Sequence, residues 1–176
     1  MEITLIRHTS VNVPPGVCYG QTDVPLRDNT FEKEASEVAR KLEKKCFDQV
    51  FTSPLSRCVR LADYCGYPHA VADDRLKELN FGEWEMCAFR EINDPHLQKW
   101  FDDYFNVPTP GGESFRMLLE RLARFFDELK SAPYRQVGIF AHGGILTCAQ
   151  LYAGNIRREE AFSFVFPYGS VIHMEL

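Results

Sequence analysis

Three short apolar runs constrain the fold of this chain more than any other feature. ITLI (3–6) is β-branched and apolar and reads as a buried strand of a parallel sheet. QVFT (49–52) reads as a second strand, and VGIFA (137–141) as a central one. Helical segments lie between them. Phe31, Ala35, Val38, Ala39 and Leu42 share a helical face behind Asn29-x-x-Glu32, which resembles a capping box. Ser53-Pro54 offers an N-cap and a proline at the first helical position, with the helix running to about Cys65 and stopping at Gly66. Asp94-Pro95 opens another helix by the same logic. From Glu113 to Lys130, Phe115, Leu118, Leu119, Leu122, Phe125, Phe126 and Leu129 are in phase. A further helix follows Gly143, and the tail, FSFVF with SVIHMEL, reads as a closing hairpin or an edge strand. This alternation predicts a three-layer α/β/α sandwich around a mostly parallel sheet, as one domain over residues 1–176.

Composition narrows the function. The net charge of −5 argues against nucleic-acid and anionic-membrane partners, both of which favour a basic surface. No apolar run approaches the ~20 residues of a membrane span, and MEITLIRH lacks the pattern of a secretory signal. The expected compartment is a reducing cytoplasm, with Cys18, Cys46, Cys58, Cys65, Cys87 and Cys148 as buried free thiols. A homodimer through the apolar C-terminal strands is left open.

Ligands of such sheets bind beyond the carboxyl ends of the strands. There the chain gathers its chemistry. Arg7 and His8 end the first strand, Arg57 lies in the first turn after the second, and His142 ends the VGIFA strand before Gly143 and Gly144. Singly, each of these is an ordinary ion pair, core histidine or solvated charge; together they share one rim. Two guanidiniums, two imidazoles and a helix N-terminus suit a phosphoryl group. A neutral imidazole can attack phosphorus while a second one stabilises the transferring group. Glu78 and Glu113 are both candidates for protonating the leaving alkoxide. No cysteine phosphatase loop, D-x-D pair, P-loop, dinucleotide fingerprint, G-x-S-x-G elbow or metal-ligand spacing is present, so no cofactor or metal is expected. His69, His96 and His173 are read as structural or exposed. Residues 9–28 form a long loop with three prolines and two glycines, and such loops are usually functional.

LIRH (5–8), TSPLSRC (52–58), LKELNFGEWE (76–85), PGGES (110–114) and FAHGG (140–144), in that order, resemble the histidine phosphatase superfamily with its phosphoglycerate-mutase-like fold. The resemblance implies a metal-independent phosphomonoesterase acting on a small molecule. His8 would be the nucleophile, and Arg7, Arg57 and His142, with Gly143, would form the phosphate pocket. Glu78 would be the proton donor and Glu113 a secondary residue that orders the pocket. Many members read R-H-G-[EQ], whereas Thr9 and Ser10 follow His8 here and Pro14 replaces a common asparagine; Thr9 and Ser10 are therefore candidate phosphate contacts. The RHT form with CYGQTDVPL (18–26) resembles the α-ribazole-5′-phosphate phosphatases of cobalamin synthesis. The alternatives are a broad-specificity phosphatase, a phosphoglycerate-type mutase, and a phosphate-binding regulatory module without turnover. Aromatics that could stack on a base, or simply form core, are Tyr19, Phe81, Trp84, Phe89, Trp100, Phe101, Tyr104 and Phe105.

Overall fold

The computed structural model describes residues 1–176 apart from the side chain of Phe162. The chain runs β1 (Glu2–Arg7), α1 (Asp28–Leu42), β2 (Gln49–Thr52), α2 (Ser56–Tyr64), β3 (Val71–Ala72), α3 (His96–Asp102), α4 (Phe115–Leu129), β4 (Gln136–Ala141), α5 (Gly143–Tyr152) and β5 (Val171–Glu175). The sheet order is β3-β2-β4-β1-β5. β1, β2, β3 and β4 pair in parallel, and β5 closes the sheet antiparallel to β1. The predicted parallel sheet thus carries one antiparallel edge.

Alternation along the strands sorts the core into two halves. Ile3 and Leu5 of β1, with Val137 and Ile139 of β4, pack beneath Leu118, Leu122, Phe126 and Leu146 of α4 and α5. Ile6 and Phe140 point the other way, into a cluster with Phe31, Val38 and Leu61 of α1 and α2. The buried face of α4 is the one its sequence phase predicts, although Leu119 is only half-buried. Ser114 caps that helix by accepting from Met117 N at 3.3 Å.

Several expectations are corrected. The Asn29–Glu32 capping box does not form, because α1 already starts at Asp28, with Arg27 as a cap that offers no side-chain bond. Ser53 is not an N-cap: α2 begins at Ser56, and the Ser53 hydroxyl is used elsewhere. The FSFVF segment is no strand. It passes through a 3-10 turn, Arg158–Ser163, so the tail contributes one edge strand and no hairpin. Cys46 and Cys87 are exposed rather than buried. Among the described residues no helix is long and apolar enough to cross a membrane.

Phe126 is fully buried, with its ring centroid 5.1 Å from that of Tyr152 where α4 meets α5. Phe126→Ala is expected to lower the unfolding free energy by about 3–5 kcal/mol, through lost transfer energy and the cavity left behind. Urea denaturation of the two proteins measures this.

Candidate active site

His8 follows directly on β1, and its backbone extends that strand's pairing, with His8 N donating to Ala141 O at 3.1 Å. Its Nδ1 lies 2.7 Å from Thr9 O. A carbonyl only accepts, so Nδ1 carries the proton and Nε2 keeps its lone pair. The ring is 2% exposed. Burial, and then the Arg57 charge, hold its pKa well below the ordinary 6.5, so it is neutral.

His142 sits at the end of β4 as the residue preceding α5. Its ring centroid is 5.2 Å from that of His8. Arg57 Nε donates to His142 Nδ1 at 3.3 Å, which leaves Nε2 to carry the proton and donate to Ser53 Oγ at 2.8 Å. Burial, followed by Arg57 and His8, depresses the pKa of this ring as well. The neighbouring Cys58 thiol donates to Ala141 O at 3.3 Å and is kept protonated by burial.

Arg57 is fully buried on α2. Its remaining bonds go to Gly20 O at 2.6 Å and Thr22 O at 2.9 Å. Residues 9–28 therefore wrap the guanidinium in carbonyls, and Glu85 in turn grips this loop. Its carboxylate accepts from Gln21 N at 2.8 Å, Thr22 N at 2.9 Å and Phe81 N at 3.0 Å. Position 20 must be glycine, because a Cβ there would run into the Leu79 carbonyl. Arg7 donates to Phe166 O and lies against Gly143, where an added Cβ would meet Arg7 Cζ at 3.3 Å. Tyr168 stacks on Arg7, with the ring centroid 4.3 Å from Cζ. The Tyr168 and Tyr19 hydroxyls are 2.6 Å apart, and Tyr19 lies against Arg57. The two tyrosines form a clasp across the histidine and both arginines.

Glu78 lies where the start of α5 opens onto a cleft. Its carboxylate accepts from Leu79 N at 3.0 Å and Gly144 N at 3.1 Å. A Cβ at 144 would overlap Glu78 Oε1, so glycine there makes room for the carboxylate. Arg7, Glu78, Gly143 and Gly144 line one end of that cleft, whose volume is about 230 Å³.

Arg7, His8, Arg57, Glu78, His142 and Gly143 thus converge as the sequence suggests. Three other candidates do not join them. Ser10 gives its amide and hydroxyl to Glu34 of α1, at 2.7 and 2.6 Å, so it anchors the loop to that helix. Thr9 meets His8 through its carbonyl, and its buried hydroxyl has no partner among the described residues. Glu113 lies in an ion pair with Arg121, which bonds both of its oxygens at 2.8 and 3.0 Å. It also accepts from Asn80 N, and Arg121 reaches the Glu78 carbonyl at 2.8 Å, so Glu113 supports the segment carrying Glu78 from behind. Sequence reasoning missed Ser53, Glu85 and the Tyr168 clasp; Glu85 stood inside the LKELNFGEWE motif as the one available signal. Of the aromatics, Phe81 lines the cleft, Tyr19 joins the clasp, and Trp84 and Trp100 are buried with their rings 5.8 Å apart. Among the described residues no cluster of His, Cys, Asp or Glu could hold a metal.

Comparison with known proteins gives the family and the fold. Residues 3–176 match the histidine phosphatase superfamily (branch 1). Phosphoserine phosphatase 1 of Hydrogenobacter thermophilus is 24% identical over 99% of this chain and 87% of its own length. The α-ribazole phosphatase of Shigella flexneri superposes with a TM-score of 0.89 at 23% identity, over 100% of this chain and 91% of that one. Phosphoglycerate mutase of Thermus thermophilus gives 0.78 at 26% identity, over 99% and 93%.

Two expectations follow from the site. Gly144→Ala should displace the Glu78 carboxylate and lower kcat by about 10²-fold, while the inhibition constant for inorganic phosphate stays within about twofold; steady-state kinetics with phosphate inhibition checks both. The depressed histidine pKa values also set a pH dependence of stability. Below about 6.5 the unfolded chain binds protons that the buried rings refuse, so stability is full above that pH and drains away beneath it. The melting temperature should fall between about pH 7 and pH 5, and fall less in the His8→Asn/His142→Asn double variant, as measured by thermal scans across that range.

Proposed function

This chain belongs to the histidine phosphatase superfamily, branch 1, and from that premise we propose that it hydrolyses phosphomonoesters through a phosphohistidine formed on His8. The observation that carries this reading is the state of His8: a neutral ring with Nδ1 tied to a carbonyl and Nε2 unprotonated, beside His142 and Arg57.

In the first half-reaction Nε2 attacks phosphorus, the P–N bond forms, and the ester P–O bond breaks. Arg7, Arg57 and the N-terminus of α5 balance the charge of the equatorial oxygens. His142 stands beside His8 and Arg57, in reach of a phosphoryl group carried by His8. The Ser53 hydroxyl can either accept from Nε2–H or donate to Nε2, so it accommodates both tautomers of that ring, and an Nδ1–H forms only when Nδ1 gives up its bond from Arg57 Nε. Glu78 protonates the departing alkoxide, then takes a proton from the water that cleaves the P–N bond and frees inorganic phosphate. The narrower proposal is that the ester is α-ribazole 5′-phosphate or its adenosylcobalamin counterpart. The RHT form and the CYGQTDVPL run support it, together with the aromatic wall of the cleft.

Rapid quenching with a 32P-labelled phosphomonoester should give an acid-labile label on the native enzyme and none on His8→Asn; label persisting on that variant defeats the assignment. A panel of α-ribazole 5′-phosphate, sugar phosphates, nucleotides and phosphoglycerates, scored for released phosphate, tests the substrate. Equal rates across it discard the cobalamin reading and leave a general phosphatase.

A further inference from the structure

His8 is almost closed off, and the ways to it differ in chemistry. On one side stands the Tyr19–Tyr168 clasp, with its rings against Arg57 and Arg7. On the other, Arg7, Glu78, Gly143 and Gly144 open into the cleft. The ester oxygen must come within reach of Glu78 to be protonated, so the group attached to that oxygen continues into this space.

Beyond Glu78 the walls are Leu79, Phe81, Phe115, Ala161, Phe164 and Phe166. Among the described lining residues Arg7 is the one cation, and the phosphoryl group needs it. The Thr147 hydroxyl is already spent on Gly143 O at 3.1 Å. Arg158, at the start of the 3-10 turn that supplies Ala161, is paired with Asp103 and stacked on Phe105. At the mouth, Phe164 and Val165 remain 45% and 77% exposed, apolar surface that a ligand would cover.

We propose that this cleft receives an uncharged, apolar leaving group, that Phe81, Phe164 and Phe166 select it, and that carboxylate-bearing phosphomonoesters are refused. The proposal rests on the phosphatase reading above. In O-phosphoserine and 3-phosphoglycerate the carboxylate lies within a few bonds of the ester oxygen. It would be pressed against phenylalanine rings, beside Glu78 and without a cation of its own, and a buried unpaired charge is strongly disfavoured. The fold shared with phosphoserine phosphatase 1 and phosphoglycerate mutase therefore does not carry their named substrates over to this chain.

The test compares 2-phenylethyl phosphate with O-phospho-L-serine and 3-phosphoglycerate. In all three the ester oxygen is bonded to a saturated carbon, so leaving-group basicity does not dominate. kcat/KM should favour the phenylethyl ester by at least about tenfold, and Phe164→Ala should remove most of that advantage, chiefly by lowering kcat/KM for the phenylethyl ester. A rate on either acid equal to or above that on the phenylethyl ester overturns the proposal. Binding of non-hydrolysable analogues, measured by calorimetry, separates it from the phosphatase reading. 3-Phenylpropylphosphonate should bind more tightly than 2-amino-4-phosphonobutyrate. Equal or reversed affinities defeat the cleft assignment, whereas the expected order without turnover of any ester defeats only the phosphatase reading.

Discussion

A guanidinium with no access to water holds this site together. Arg57 brings a permanent charge into the interior, where an uncompensated ion is among the costliest things a fold can contain. Its compensation comes from dipoles: two loop carbonyls and the Nδ1 lone pair of His142. That choice has two effects. Among the described residues no carboxylate bonds it, so its positive charge is not neutralised by an ion pair. Burial, with that same field second to it, keeps both imidazoles neutral. Removing this arginine would take away the second-largest cause of the depressed histidine pKa values and leave the Gly20 and Thr22 carbonyls without their donor.

Behind the reacting groups lies a second set of ion pairs and backbone bonds whose purpose is placement. Glu85 fastens the loop whose carbonyls hold Arg57. Glu113 and Arg121 fasten the segment that presents Glu78, and Arg121 also bonds Arg75 O. The two candidate glutamates thus divide the work: Glu78 faces the cleft, while Glu113 is committed to an arginine.

What could be read from the residues depended on how local the cause was. ITLI, QVFT and VGIFA declared themselves because strand burial is written in consecutive side chains. Placing catalytic groups at the strand ends then followed from the geometry of parallel sheets. Arg7, His8, Arg57 and His142 were legible for that reason, whereas the preference for His8 as nucleophile came from family resemblance. Ser53 was misread because a serine before a proline fits an N-cap equally well; only the arrival of His142, 89 positions later, shows where its hydroxyl goes. Glu85 acts on a loop 64 residues away, and Tyr168 meets Tyr19 across 149, separations at which no spacing rule speaks. The amide and hydroxyl of Ser10 go to Glu34 of α1, a carboxylate that a linear reading cannot place beside it.

At position 20, where hydrogen is the only side chain that fits, the long loop and the Leu79 backbone are in direct contact. A stretch of twenty residues with three prolines would ordinarily fluctuate on its own; here it is bonded through Glu85 to the segment behind it. The rim that carries His8 and Arg57 is thereby tied to the sheet through both the loop and the strand ends. The solvent-facing aromatic strip between α5 and β5 is fastened by other means, its Phe166 carbonyl to Arg7 and its Phe164 carbonyl to Thr147, so the two ends of the chain grip the same rim through separate sets of bonds.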